Sequence, residues 1–164
     1  MSWFVAATSL AVGLAVLASA VVFRARGPES SAARLVLLLL IAGLVVGTAS
    51  HVENLARSGL VARPELPLGC NVFWSALVII DPVAALALLL KPRAGVVLVA
   101  GIMAVDLAVN LAVLGITPPI AAQMAYGVLA LVSLRIVLTK VPRPPGKRAP
   151  AANSPPPADI LRRS

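Results

Sequence analysis

Two carboxylates, Asp81 and Asp106, lie inside long apolar runs of the chain. An aspartate at the centre of a membrane-crossing helix costs about 3 kcal/mol on insertion scales, so it is retained where it faces other helices or a wet cavity. At 1.5 Å per helical residue, Asp81 is roughly 15 Å from Asn71 and Asp106 roughly 13.5 Å from Gly115. The two runs are consecutive and antiparallel, which puts both acids at nearly one depth. Two neighbouring carboxylates in a low-dielectric setting do not both ionise readily, and one tends to hold a proton. That chemistry suits a proton relay, a monovalent-cation site or the counter-ion of a cationic ligand. The plain alternative is a protonated aspartate bonded to Asn110 as interhelical glue.

Other polar residues repeat at helical spacing. At 100° per residue, Asn71, Trp74 and Asp81 share one face of their run, and Asn110 lies one turn from Asp106. Gln123 and Tyr126 share a face of the last apolar run, and Thr48, His51 and Asn54 share one at the end of the second. Four helices thus each offer a polar stripe in the same half of the membrane. The expectation is one polar pocket, opening to the outside, around Asp81 and Asp106, with Asn110, Trp74, His51, Asn54, Gln123 and Tyr126 as its further candidates. Pro82 follows Asp81 directly, and a proline inside a helix frees the carbonyl four residues back, here that of Val78. In lipid such a carbonyl is tolerated where it lines a cavity; the plain alternative is that Asp81 only solvates the broken turn.

His51-Val52-Glu53-Asn54 has the look of a metal or acid–base motif, but His51 and Glu53 are about 200° apart on a helix. Glu53 is instead spaced to pair with Arg57 one turn on. His51 is read either as an interfacial histidine with satisfied neighbours or, with Asn54, as part of the pocket mouth. The chain holds a single cysteine, Cys70, which excludes an internal disulfide and a cysteine-based metal cage. Phosphate-cradling glycine loops, HExxH, G-x-S-x-G and CxxC are all missing from the sequence. No metal and no cofactor are expected, and no catalytic residue is identified.

The elements that must position these residues follow from hydropathy. A span needs about 20 mostly apolar residues, and the chain supplies five such stretches, at about 3–23, 35–54, 72–90, 94–114 and 120–139. Apolar residues make up 60% of the 164 and charged residues 12%, against about a quarter charged in a soluble domain. The reading is an all-α, polytopic membrane protein, a bundle of five transmembrane helices over residues 1–140. Ala18-Ser19-Ala20 resembles a signal-peptidase site, yet basic residues follow the first apolar core rather than precede it, which favours a retained helix. Small residues at four-residue spacing (Ala7, Ala11, Ala15 and Ser19; Gly43 and Gly47; Ala100, Ala104, Ala108 and Ala112) are expected to let helix backbones approach closely.

The net charge of +8 does not point to nucleic acid, because the basic residues lie between apolar runs and in the tail. All of them except Arg57 and Arg63 fall on one side of the predicted topology, which by the positive-inside rule is the cytoplasm. This places the N-terminus outside and the C-terminus in the cytoplasm, in a membrane of the bacterial inner or plasma type. Residues 141–164 hold seven prolines and have little to bury, so a disordered Pro/Arg-rich cytoplasmic tail is expected there. The expected partners are the lipid bilayer and a small ligand or cation, with a homo- or hetero-oligomer left open. The favoured function is binding of a small ligand, proton or cation in the outward-facing pocket. The rivals are a structural or assembly subunit, and a small membrane enzyme using His51 and the carboxylates on a lipid-soluble substrate; an enzyme ranks below a binding protein.

Overall fold

A computed structural model describes residues 3–26, 30–61 and 63–141. Over these residues the chain forms five helices: α1 (Trp3–Arg26), α2 (Ser31–Ser58), α3 (Leu68–Leu90), α4 (Pro92–Leu114) and α5 (Pro118–Lys140). No strand occurs among the described residues. All five are long and apolar enough to cross a membrane. The proposed tail lies outside the described residues, apart from Val141.

Each helix extends past its apolar run, because caps rather than hydropathy set the ends. Ser30 caps α2 by accepting from the Ala33 N–H. Pro92 and Pro118 open α4 and α5, where a missing N–H costs nothing. Gly59 and Gly115 end α2 and α4 at φ 70°, ψ −165° and φ 67°, ψ −163°, a region open essentially to glycine alone. α1 runs unbroken through Ala18-Ser19-Ala20, and α3 runs unbroken through Pro82.

Helices α2, α3, α4 and α5 close into a ring, each packing on the next and α5 returning to α2. α1 docks on the outside of α2, with a slighter contact to α3. One end of the ring is tight. Only Lys91 separates α3 from α4, and a Cβ on Gly95 would fall 2.5 Å from the Leu88 nitrogen, so glycine is needed for α4 to lie against α3. Arg93 then ties this corner to the end of α5 by donating to the Val141 carbonyl at 2.6 Å. The apolar core fills this half of the bundle, with Phe23, Leu37, Leu40, Ala84, Leu88, Val96, Val99, Ala130 and Val137 buried together. Ser19 and Ser133 are buried here too, but each hydroxyl bonds the carbonyl one turn back in its own helix.

The outer surface is apolar. Ile79 is 70% exposed and Leu90 69%, while Asp81, Asp106 and Asn110 are buried. A soluble protein rarely shows so large an apolar face; facing lipid, it is the ordinary surface of a bundle.

The small-residue stripes behave differently from the expected backbone packing. Gly43 and Gly47 do not receive a helix backbone: a Cβ at Gly43 would overlap the Tyr126 ring, and one at Gly47 would lie 2.8 Å from Asp81 Oδ2. The pair forms a notch in α2 for two side chains. Ala104, Ala108 and Ala112 face outward, because Val96, Val99, Met103, Asp106 and Asn110 occupy the inner face of α4. Ala7, Ala11, Ala15 and Ser19 line an apolar crevice of about 710 Å³ between α1 and the α2–α3 pair.

Candidate functional site

The other half of the ring is hollow. A cavity of about 830 Å³ runs from the level of Gly43, Ile102 and Tyr126 to the helix ends at Ser58, Gly59, Leu114 and Pro119. Its walls come from α2, α3, α4, α5 and the 59–67 loop; no described residue of α1 lines it. Asp81, Asp106, Asn110, Trp74, His51, Asn54, Gln123 and Tyr126 all line this one space. The four-helix ring explains the convergence: a polar side chain on any of α2 to α5 that avoids lipid has one interior to enter.

Thr48 departs from the expected stripe. It lines the crevice beside α1, and its hydroxyl donates to Leu44 O at 2.8 Å. Pro82 also turns to that crevice, on the side of α3 away from the cavity. Glu53 pairs with Arg57, and both border the crevice rather than the cavity.

Three helices build a continuous hydrogen-bond network along one wall. The Trp74 indole N–H donates to Asn110 Oδ1 at 3.0 Å. Asn110 Nδ2 donates to Asp106 Oδ1 at 3.0 Å and to Gln123 Oε1 at 2.9 Å. Gln123 Nε2 donates to Asp106 Oδ2. Both oxygens of Asp106 therefore accept from amides. Such a network fixes the register of α3, α4 and α5 where apolar packing has given way to space.

Asp81 is different. It is only 6% exposed, and it lines the same cavity as Asp106. Among the described residues, no group donates a hydrogen bond to it. No side-chain nitrogen or oxygen sealed from solvent lacks a partner among the described residues, so the Asp81 oxygens are ones that meet the cavity space. Tyr126 closes the floor beside it, with its ring on Gly43 and its hydroxyl donating to Leu40 O at 2.5 Å. His51 stands one turn along α2 from Gly47, roughly 6 Å toward the mouth, and no hydrogen bond joins it to either carboxylate.

The mouth is held by contacts that spacing did not reveal. Asn71 is 1% exposed and clips the 59–67 loop, accepting from the Arg63 N–H at 3.0 Å and donating to the Arg63 carbonyl at 2.9 Å. The Ser75 hydroxyl reaches Leu60 O at 3.3 Å. Asn71 shares the face of Trp74 and Asp81 as expected, yet both ends of its amide are bound to backbone. No sequence signal marks this role, since the partner is a loop backbone.

Among the described residues no group of three or more His, Cys, Asp or Glu could hold a metal ion. No family model matches the chain, and no curated protein or solved structure is significantly similar to it. Five apolar spans, four of them around a buried polar network, are the architecture of a multi-pass integral membrane protein.

Proposed function

We propose that this protein binds a small ligand or cation in the cavity between α2, α3, α4 and α5, with Asp81 as the anchoring group and Asp106 as part of the wall that shapes the site. One observation carries the reading: Asp81 is buried and meets the cavity without a partner from the described chain. A buried polar group without a partner is costly, and membrane proteins keep intramembrane acids where they serve an ion, a proton or a ligand.

The proposed orientation puts the mouth outside. Among the described residues, Arg24, Arg26, Arg34, Lys91, Arg93, Arg135 and Lys140 all belong to the end with the apolar plug, which the positive-inside rule assigns to the cytoplasm. The N-terminus is then external, the C-terminus cytoplasmic, and the membrane a plasma membrane. The plug of Leu37, Leu40, Leu88, Val96 and Val99 lies below the cavity, and the buried hydroxyls of that half, Ser19 and Ser133, are spent on carbonyls of their own helices. This supports binding from one side over conduction from side to side.

The network around Asp106 favours, for that residue, the rival role of interhelical glue, so the two acids divide the two readings between them. Native mass spectrometry of wild type and Asp81→Asn, each extracted in mild detergent, tests the proposal. A small molecule that accompanies wild type and is missing from a folded variant supports it. Bare wild type together with an unfolded variant makes Asp81 a structural residue and the chain an assembly subunit.

A further inference from the structure

The chemistry around Asp81 narrows what the cavity can take, given the binding role proposed above. The other buried polar side chains that the structure describes have partners: Asn71 on the Arg63 backbone, Asp106 and Asn110 on each other and on Gln123, Ser19 and Ser133 on their own helices. Asp81 alone awaits a donor. A carboxylate is matched best by a charged donor, since N⁺–H···O⁻ bonds are about twice as strong as neutral ones. The cavity supplies none at this depth. Its guanidinium, Arg63, belongs to the loop at the mouth, and the His51 imidazole stands a turn nearer the mouth than Gly47, with no hydrogen bond to Asp81.

A divalent inorganic cation fits this site poorly. Hard divalent cations take about 6–8 oxygens when they are Ca²⁺ sized, and the second carboxylate here already accepts two amide N–H groups. The space is also large. Small-molecule sites span about 300–1,000 Å³, and this one has about 830 Å³. Leu44, Ile102, Met103 and Ile120 give it apolar walls beside the Trp74 ring. Aromatic faces attract cations, and apolar walls hold a hydrocarbon body.

We propose that the cavity binds a small organic cation, a primary or secondary ammonium on a compact apolar body, with its N–H groups on Asp81 and its body against Leu44, Met103 and Ile120.

The test uses the full chain in mild detergent and follows its thermal unfolding with benzylamine, cyclohexylamine and piperidine, all charged at pH 7, against benzyl alcohol and sodium chloride. Saturable stabilisation by at least one amine, at concentrations where benzyl alcohol and sodium chloride do nothing, and its loss in Asp81→Asn, is the expected result. Equal stabilisation by benzyl alcohol overturns the proposal, because the apolar body alone then binds. Asp81-dependent stabilisation by sodium with none by the amines overturns the organic cation and leaves the binding role standing. No effect from any compound overturns the organic cation, and the bound species sought by native mass spectrometry then decides the binding role separately. Should Asp81→Asn fail to fold, 4-azidobenzylamine photolabelling of wild type replaces it. Label on cavity residues of α2 and α3, competed by benzylamine, supports the proposal; label confined to the lipid face, or not competed, overturns it.

Discussion

The carboxylate of Asp81 rests on the bare backbone of Gly47, where a Cβ would come within 2.8 Å of Oδ2. Alanine in a helix interior is favoured over glycine by about 1 kcal/mol, and the atom in the way is the end of a side chain that can turn. Gly47→Ala should therefore melt at or above the wild-type temperature while displacing Asp81. Losing a charge-assisted hydrogen bond, worth roughly 1.5–3 kcal/mol, should weaken benzylamine binding by about tenfold or more. Titration calorimetry alongside a melting curve checks both halves. Unchanged affinity in a stably folded variant would mean that the position of Asp81 does not govern binding.

One turn away the same substitution should have the opposite sign. A Cβ on Gly43 would lie 2.6 Å from Tyr126 Cζ, and the ring cannot turn aside without leaving Leu40 O. Overpacking costs roughly 1–3 kcal/mol, more than the gain of about 1 kcal/mol in helix propensity. Gly43→Ala should lower stability, and Gly43→Ala combined with Tyr126→Ala should recover part of the loss relative to the sum of the single changes. Unfolding in mixed micelles gives the cycle.

These two glycines mark the limit of what periodicity reveals. That His51, Asn54, Trp74, Asp81, Asp106, Asn110, Gln123 and Tyr126 share one cavity was legible, because a polar residue in an apolar span avoids lipid and faces inward. The five spans were legible from hydropathy for a similar reason. The use of Gly43 and Gly47 was not, since a small residue creates room without saying what fills it. Thr48 misled because its hydroxyl is satisfied by its own helix, which frees it to face α1. The clip between Asn71 and Arg63 depends on where a loop folds back, and the difference in hydrogen bonding between Asp81 and Asp106 depends on which amides reach them. Those facts belong to tertiary register, to which helical spacing is blind.

Asn110 is the hub of the wall, bonded to Trp74, Asp106 and Gln123. Interhelical hydrogen bonds in membranes average about 0.6 kcal/mol and reach about 1.7, so Asn110→Ala should cost roughly 1–3 kcal/mol, more than Trp74→Phe. Groups in one network do not add independently. Asn110→Ala with Gln123→Ala should therefore cost less than the sum of the two, by about 0.5 kcal/mol or more. Strict additivity in the unfolding cycle would mean that the network does not act as a unit.

The plug gives the cavity a floor, and a floor can be probed from either side. Cys70, in the first turn of α3, is partly exposed at the mouth end and is a native reporter. A charged, membrane-impermeant thiol reagent applied to intact cells should modify it. In a Cys70→Ser background, Asn54→Cys should also react, since Asn54 lines the cavity. Val99→Cys, fully buried in the plug, should resist the reagent from both faces of the membrane. Reaction of Cys70 only in inverted vesicles would reverse the proposed orientation and leave the one-sided cavity intact. Reaction of Val99→Cys from the cytoplasmic face would mean that the apolar half opens, and a site with access from both sides belongs to a carrier rather than a one-sided binding protein. The apolar half therefore decides between the two, although the polar cavity lies in the other half.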